Sequence, residues 1–203
     1  TVGAAYNSRI DLEFEGEATG DFSALGLGKV HYGDARVRNL DQPQEFGIGA
    51  AIQASDALLL SLELNWIDWS GAIDHTTIIA SAPDNALAPA TLRVVDPNHW
   101  RDQYVVGIGM AYQWDAQTVL RAGYNYGRNP IPDASLSPLL NTITEHHLAL
   151  GFGRVLDAAW HIDGALVWDI KANTRYNNPG LPFGDAEAVG DLFALHFRVS
   201  RAW

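Results

Sequence analysis

Apolar and polar residues alternate with a period of two along almost the whole chain, the signature of strands whose two faces meet different surroundings. Tyr104, Val106, Ile108, Met110, Tyr112 and Trp114 share one face, while Gln103, Gly107, Gly109, Ala111 and Gln113 share the other. One side is large and apolar; the other is small or polar. The same alternation sets Leu120, Ala122, Tyr124 and Tyr126 against Arg121, Gly123 and Asn125, and Leu148, Leu150 and Phe152 against His147, Ala149, Gly151 and Gly153. Trp160, Ile162, Leu166, Trp168 and Ile170 oppose His161, Asp163, Ala165, Asp169 and Lys171; Phe193, Leu195, Phe197 and Val199 oppose Ala194, His196, Arg198 and Ser200. Upstream, Leu58, Leu60, Leu62, Leu64 and Trp66 face away from Ser61, Glu63 and Asn65, and Phe46, Ile48 and Ile52 from Gly47, Gly49 and Gln53. The first strand places Tyr6, Ile10, Leu12 and Phe14 opposite Asn7, Arg9, Asp11 and Glu13. The pattern predicts an all-β, antiparallel fold of about eight strands.

Soluble sandwiches and membrane barrels both alternate, so the identity of the buried face decides the class. Most of these strands run to about 11–14 residues, longer than the ~5–6 usual in soluble sheets and enough for a tilted bilayer crossing. The connections alternate in length. Tight turns fall at Ser55–Asp56, Asp115–Ala116 and Leu156–Asp157, whereas residues 15–42, 71–101, 128–142 and 173–189 form long loops. Trp66, Trp114, Tyr124, Tyr126, Trp160, Trp168 and Trp203 sit mostly toward strand ends on the apolar face, as headgroup-level girdles do. The opposite face carries Arg9, Asp11, Glu13, Glu63, Arg121, Glu145, Asp163, Asp169, Lys171 and Arg198, a charge load that a dry core does not accept. These features predict a transmembrane β-barrel with a wet or ligand-filled lumen, against a lectin- or lipocalin-like protein that turns its polar face to water.

Composition narrows the functional classes. With 203 residues, 47% of them hydrophobic and 18% charged, the chain is too apolar for disorder. The absence of cysteine excludes disulfides, thiolate metal sites and a cysteine nucleophile. A formal charge of −11 argues against a nucleic-acid partner. No apolar run is long enough for a spanning helix. The sequence opens at Thr1, without methionine and directly in patterned sequence, and reads as a processing point or a cut in a longer chain.

Four segments carry a family resemblance: TVGAAYNSRID at the start, LNWIDWS from Leu64, WRDQYVVGIGMAYQWD from Trp100 and LRAGYNYGRNPIPDASLSP from Leu120. In this order the chain resembles the C-terminal half of the outer-membrane transporters for long-chain fatty acids and aromatic hydrocarbons, the FadL/TodX type. The resemblance implies a fourteen-stranded barrel of which these strands are the last eight, residues 1–203 forming a single barrel domain, with an N-terminal hatch and the early strands before Thr1. The alternative is an arc that closes on itself into a small barrel. The terminal Trp203 resembles a barrel-assembly signal, which puts the tight turns at the periplasmic rim, the long loops outside, and implies the barrel-assembly machinery and outer-membrane lipid as partners. Where relatives often carry an Asp-Arg pair after the proline-rich loop, this chain has Leu139 and Leu140, then Glu145, His146 and His147. That departure weakens the case for carboxylate recognition.

The function implied is passive uptake of hydrophobic compounds (long-chain fatty acids, alkanes or aromatic hydrocarbons) without a cofactor, with a structural or adhesive barrel of sealed lumen as the other reading. The long loops are apolar, with Phe22, Leu25, Leu27, Ile79, Leu92, Leu139 and Leu140, which suits either ligand capture or packing of the loops on each other. On the lumen face Arg121, His147, His161, His196 and Arg198 either hold the polar end of a ligand or brace the wall as salt-bridged ladders. Trp69, Ile79, Leu139 and Leu140 complete the set of candidate ligand-binding residues. His146 and His147 point to opposite faces of one strand and cannot share a metal. No serine stands in a Gly-x-Ser-x-Gly elbow, so no enzyme is expected. The strand glycines, with Ala111, either shape a passage or permit close strand packing.

Overall fold

The computed structural model describes residues 1–136, 144–177 and 186–201. Within them the chain divides into two compact units, one of residues 1–6, 46–67 and 103–203 and the other of residues 7–45 and 68–102.

The first unit is built on one eight-stranded sheet. Its strands are β1 (Val2–Asn7), β4 (Glu45–Ser55), β5 (Leu58–Ile67), β8 (Gln103–Gln113), β9 (Thr118–Gly127), β10 (His146–Val155), β11 (Trp160–Arg175) and β12 (Glu187–Arg201), hydrogen-bonded in that order. The eight expected wall strands are therefore present. Among the described residues β1 and β12 are the two edges, so the sheet does not close on itself into a small barrel. The tight turns fall where the alternation breaks. Asp115 holds its turn by accepting from the Gln117 amide at 2.8 Å, and Asp157 accepts from Ala159 at 2.8 Å and Trp160 at 2.9 Å. Such side-chain turns are what aspartate offers at a hairpin end. The amide donation from Gln117 also holds the Asp115 carboxyl below its ordinary value.

Register turns the alternation into two continuous faces. On the apolar face Leu62, Ile108, Tyr124, Leu148, Trp168 and Phe193 lie in one cross-strand row, and Leu60, Met110, Ala122, Leu150, Leu166 and Leu195 in the next. Trp168 and Phe193 stack with ring centroids 5.4 Å apart. Phe152 lies across Gly164, where a Cβ would come within 2.5 Å of its ring, so the aromatic side chain covers the gap the glycine leaves. These side chains are exposed: Ile108 keeps 53% of its surface, Phe193 59% and Leu195 82%. No second sheet covers them among the described residues of this unit. Aromatic residues cluster at two levels, Trp66, Tyr104 and Tyr126 toward one end and Tyr112, Trp114 and Trp160 toward the other. From Tyr104 to Trp114 is about 33 Å along the strand, or about 25 Å across a bilayer at a tilt of about 40°, the height of an outer-membrane apolar band.

The second unit corrects the expectation for two of the long loops. Residues 15–42 and 71–101 carry a four-stranded antiparallel sheet, ordered β2 (Phe14–Phe22), β3 (Gly28–Arg38), β6 (His75–Pro83) and β7 (Thr91–Pro97), together with the short helix α1 (Trp69–Ala72). Its residues alternate as well. Ala35, Ala80 and Leu92 align on one face, and Arg36, Ile79 and Arg93 on the other. Val30, Tyr32, Ala35, Ala80 and Ala88 form a buried core against which Ala18, Phe22, Leu27 and Leu92 pack. The fully buried Tyr32 donates its hydroxyl to the Pro89 carbonyl at 3.1 Å. Part of the loop hydrophobicity is therefore core, whereas Leu25 and Leu87 remain 73% and 80% exposed.

The first strand is also shorter than its pattern. The wall strand stops at Asn7, and Arg9, Asp11 and Glu13 belong to the second unit instead of the lumen face. Buried Asp41 draws this segment away: it pairs with Arg9 and accepts from the Leu12 amide at 2.8 Å. Arg9 also donates to the Gly71 carbonyl at 2.5 Å, and Glu13 pairs with Arg38 at 2.7 Å. Burial of a charge outweighs the period-two pattern here, because leaving the buried Asp41 unpaired costs ~3–5 kcal/mol.

Replacing Tyr32 by Ala removes the largest side chain of this small core and should destabilise it by about 3–5 kcal/mol. Amide exchange should speed up in β2, β3, β6 and β7 while β8–β11 keep their protection.

Candidate functional site

The second face of the eight-stranded sheet holds the candidate site. Its central row is Ser61, Gly109, Gly123, Ala149, Val167 and Ala194. Polar rows flank it. On one side run Glu63, Gly107, Asn125, His147 and Asp169; on the other, Ala111, Arg121, Gly151, Ala165 and His196, followed by Gly153, Asp163 and Arg198. Period-two geometry places all of these on one surface, and the small central row leaves that surface open. A cavity of about 670 Å³ lies over Leu59, Ala111, Arg121, Asp163, His196 and Arg198. A second, of about 560 Å³, lies over Gly47, Gly49, Ser61, Glu63 and Gly107.

The structure brings four of the expected residues near one another. Arg121 and Asp163 pair at 3.3 Å, His161 approaches the other oxygen of Asp163 at 3.5 Å, and Arg198 stands in register with Asp163 on β12. His196 lines the same cavity as Arg121 and Arg198. His147 is separate, its Nδ1 lying 2.6 Å from Asp169 directly opposite on β11. His146 turns to the apolar face, where its Nδ1 lies 2.6 Å from the Tyr124 hydroxyl and its ring meets Tyr126 at 4.8 Å. The adjacent histidines thus have different partners on different faces. Trp69 and Ile79 belong to the second unit: Trp69 packs on Trp100 with centroids 5.2 Å apart, and Ile79 is half-buried between Arg36 and Arg93. Leu139 and Leu140 lie outside the described residues.

Two participants were not visible as such in the sequence. Gly153 sits beneath the Arg121–Asp163 pair, and a Cβ there would come within 2.8 Å of Asp163 Oδ1 and 3.0 Å of Arg121. The glycine makes room for the ion pair. Leu59 supplies an apolar side chain on the polar face, a position masked by the run Leu58–Leu59–Leu60, in which alternation fails. Register alone reveals either role.

A further polar cluster occupies the second unit. Asn39 donates to His75 Nε2 at 2.7 Å, which leaves the proton of neutral His75 on Nδ1, 3.4 Å from Asp74. His99 Nδ1 lies 3.2 Å from the other Asp74 oxygen. Hydrogen bonds from His99 and His75 hold the Asp74 carboxyl below its ordinary value.

Substituting Gly153 by Val should push Arg121 off Asp163. The ion pair, about half-exposed, is itself worth ~0.2–1 kcal/mol, so most of the expected loss of about 1–3 kcal/mol comes from overpacking. Urea unfolding of the reconstituted protein checks the size, and Gly153→Ala should cost less.

Comparison with known proteins follows this geometry. Residues 1–199 match the family described as outer membrane protein transport protein (OMPP1/FadL/TodX). No curated protein matches in sequence. Among solved structures, the toluene transporter TbuX of Ralstonia pickettii is similar at a TM-score of 0.62 and 20% identity, over 98% of this chain and 43% of that one. The toluene transporter TodX of Pseudomonas putida is similar at 0.64 and 20%, over 98% and 44%. A Pseudomonas aeruginosa FadL homologue is similar at 0.64 and 20%, over 98% and 46%. The chain therefore spans less than half the length of these structures, and at such identity the likeness shows a shared fold. With the family match covering nearly its whole length, the chain belongs to the OMPP1/FadL/TodX family of outer-membrane transport proteins.

Proposed function

We propose that the complete protein containing this chain is a passive outer-membrane channel for hydrophobic compounds, of the class of long-chain fatty acids, alkanes or aromatic hydrocarbons. In this reading residues 1–203 are the C-terminal portion of its barrel domain, the apolar face meets outer-membrane lipid, and β12 is the segment that the barrel-assembly machinery engages. The lumen candidates divide by role. His147 is engaged by Asp169, and Arg121 and His161 by Asp163, so these three brace the wall, whereas His196 and Arg198 make no ion pair among the described residues and line the cavity.

The observation that carries the proposal is the band of small residues across the centre of the second face. A barrel built to be sealed fills its interior with side-chain bulk. Here Gly109, Gly123 and Ala149 stand where bulk would be. Exposed Leu25 and Leu87 at the turns of the second unit offer apolar surface for first contact with a ligand. The toluene transporters among the similar structures favour aromatic hydrocarbons as the first ligands to try.

Uptake tests the proposal. Cells lacking the complete gene and cells carrying it are compared for initial uptake of labelled toluene, hexadecane and oleate. At least one should enter several-fold faster with the gene; equal uptake of all three contradicts a channel and favours a sealed, structural barrel. Gly123 offers a local check, because its Cβ would find its nearest neighbour at an ordinary 3.7 Å. Gly123→Phe should therefore fold, fill the passage and slow uptake several-fold at unchanged surface abundance.

A further inference from the structure

The bulge between Asp169 and Ala172 changes which side chains of β11 reach the lumen face. Up to the bulge the odd-numbered residues point there, Asp163, Ala165, Val167 and Asp169 standing opposite Arg198, His196, Ala194 and Leu192. β12 keeps its alternation through Gly190 and Ala188, but β11 carries one extra residue, so Ala172 and Thr174 take the places opposite them. Tyr176 follows, its amide donating to the Ala186 carbonyl at 2.9 Å. Re-aiming side chains is what a bulge does. Without it Thr174 and Tyr176 would point to the apolar face. Both are buried, Tyr176 to 1% exposure, whereas their neighbours Asn173, Arg175 and Asn177 are exposed. The lumen face is therefore covered at this level, unlike the band of small residues at its centre.

Residues 129–136, which follow β9, reach the same level. They leave the wall beside Gly127, whose amide donates to the Glu145 carbonyl at 3.0 Å. The Glu145 carboxylate accepts from the Asn129 amide at 2.7 Å, and the Gln103 side chain donates to the Arg128 carbonyl at 2.9 Å. At the far end the Asn177 amide, just beyond β11, donates to the Asp133 carbonyl at 3.5 Å. β10 lies between β9 and β11, so the segment crosses two strand spacings, about 10 Å. Pro130 and Pro132 make the crossing stiff, because each fixes its own φ and holds the residue before it extended. Pro132 has φ −63° and ψ 148°, a polyproline conformation, and four residues of such chain span about 12 Å. That length suffices for the crossing. Pro130, Ile131 and Leu136 are buried, and the turn Asp133–Ser135 is closed by the Ser135 and Leu136 amides, which donate to the Pro132 carbonyl at 2.9 and 3.1 Å.

We propose that residues 129–136 form a fixed sill over the long-loop end of the lumen face, and that Tyr176, turned inward by the bulge, is the positioning residue that holds it there and so limits the girth of what passes. Ile131 and Leu136 supply the apolar side chains that close on Thr174 and Tyr176, and the two prolines keep the sill from swinging aside. The bulge thus gives the outer end of the wall a second function, since the same strand that leaves the centre open narrows the entrance. The inference rests on the channel reading for the passage it narrows, but its test does not need a transported solute.

The chain has no cysteine, so a thiol can report on access. The complete protein carries Ala149→Cys, in the central row of the lumen face, as its single cysteine. Intact cells are treated from outside with two membrane-impermeant thiol reagents, one small and one bulky. The readout is the ratio of their labelling rates, bulky to small, which cancels surface abundance and which a loss of stability alone does not raise. Tyr176→Ala should raise the ratio several-fold, and Tyr176→Phe, which keeps the ring, should leave it at the wild-type value. Pro132→Gly loosens the sill without touching the wall and should raise the ratio as well; it is decisive if Tyr176→Ala fails to reach the surface. A ratio unchanged in the variants that reach the surface overturns the proposal. So does a thiol that neither reagent reaches in any variant, because something other than the sill then limits entry. Toluene uptake is measured in parallel. If toluene uptake is absent while the ratio still responds to Tyr176→Ala or Pro132→Gly, the channel reading fails and the sill stands; if toluene enters and the ratio does not respond, the sill fails and the channel reading stands.

Discussion

A backbone amide inside hydrocarbon has no water to bond, so each N–H and C=O of a wall strand must find its partner in the next strand. That requirement organises the first unit. Its eight strands pair in one unbroken antiparallel order with residue-by-residue register through β5, β8, β9, β10, β11 and β12, interrupted by a single bulge between Asp169 and Ala172 among the registers of these strands. Once the ladder is fixed, the side chains have two destinations. Most of the leucine, phenylalanine, tyrosine and tryptophan side chains go to one face; glycine, alanine and the charged and polar side chains go to the other, with Leu59 as an apolar exception there.

The two faces solve opposite problems with the same backbone. On the apolar face the large side chains need neighbours, and Phe152 over Gly164 and Trp168 on Phe193 provide close packing within the sheet itself. On the other face charges need partners. Gly153 gives up its side chain so that Arg121 can reach Asp163, and His147 meets Asp169 in register. The second unit follows different rules: it closes a small core around Tyr32 and holds the 8–13 segment through Arg9 and Asp41, as a water-exposed domain does.

The wall was legible in the sequence because its period is two and its faces differ strongly, so Leu62, Ile108, Tyr124 and Leu148 announce themselves without coordinates. The tight turns were legible for a related reason, since Asp115 and Asp157 stand where alternation breaks. The second sheet was hidden by its small residues. Ala18, Ala35 and Ala80 carry too little hydrophobic contrast to mark strands, although Ala35 and Ala80 join Val30 and Tyr32 in a core against which Ala18 packs. Tyr6 to Phe14 misled for the opposite reason: the alternation is real, but Asp41, far along the chain, redirects it. In the candidate site, the face of Arg121, His147, His161, His196 and Arg198 could be read from parity. Which of them is paired and which is free depends on cross-strand register, and register is a long-range property that alternation does not encode.

The account depends on lipid tails touching the bulky face. Nitroxide labels at neighbouring positions read this directly in the complete protein reconstituted in bilayers, using Leu150 with Ala149, Met110 with Ala111 and Leu166 with Ala165. Collisions with dissolved oxygen should dominate at Leu150, Met110 and Leu166, and collisions with a water-soluble nickel chelate at Ala149, Ala111 and Ala165. Equal accessibility within each pair, or the reverse assignment, would contradict the membrane-barrel account.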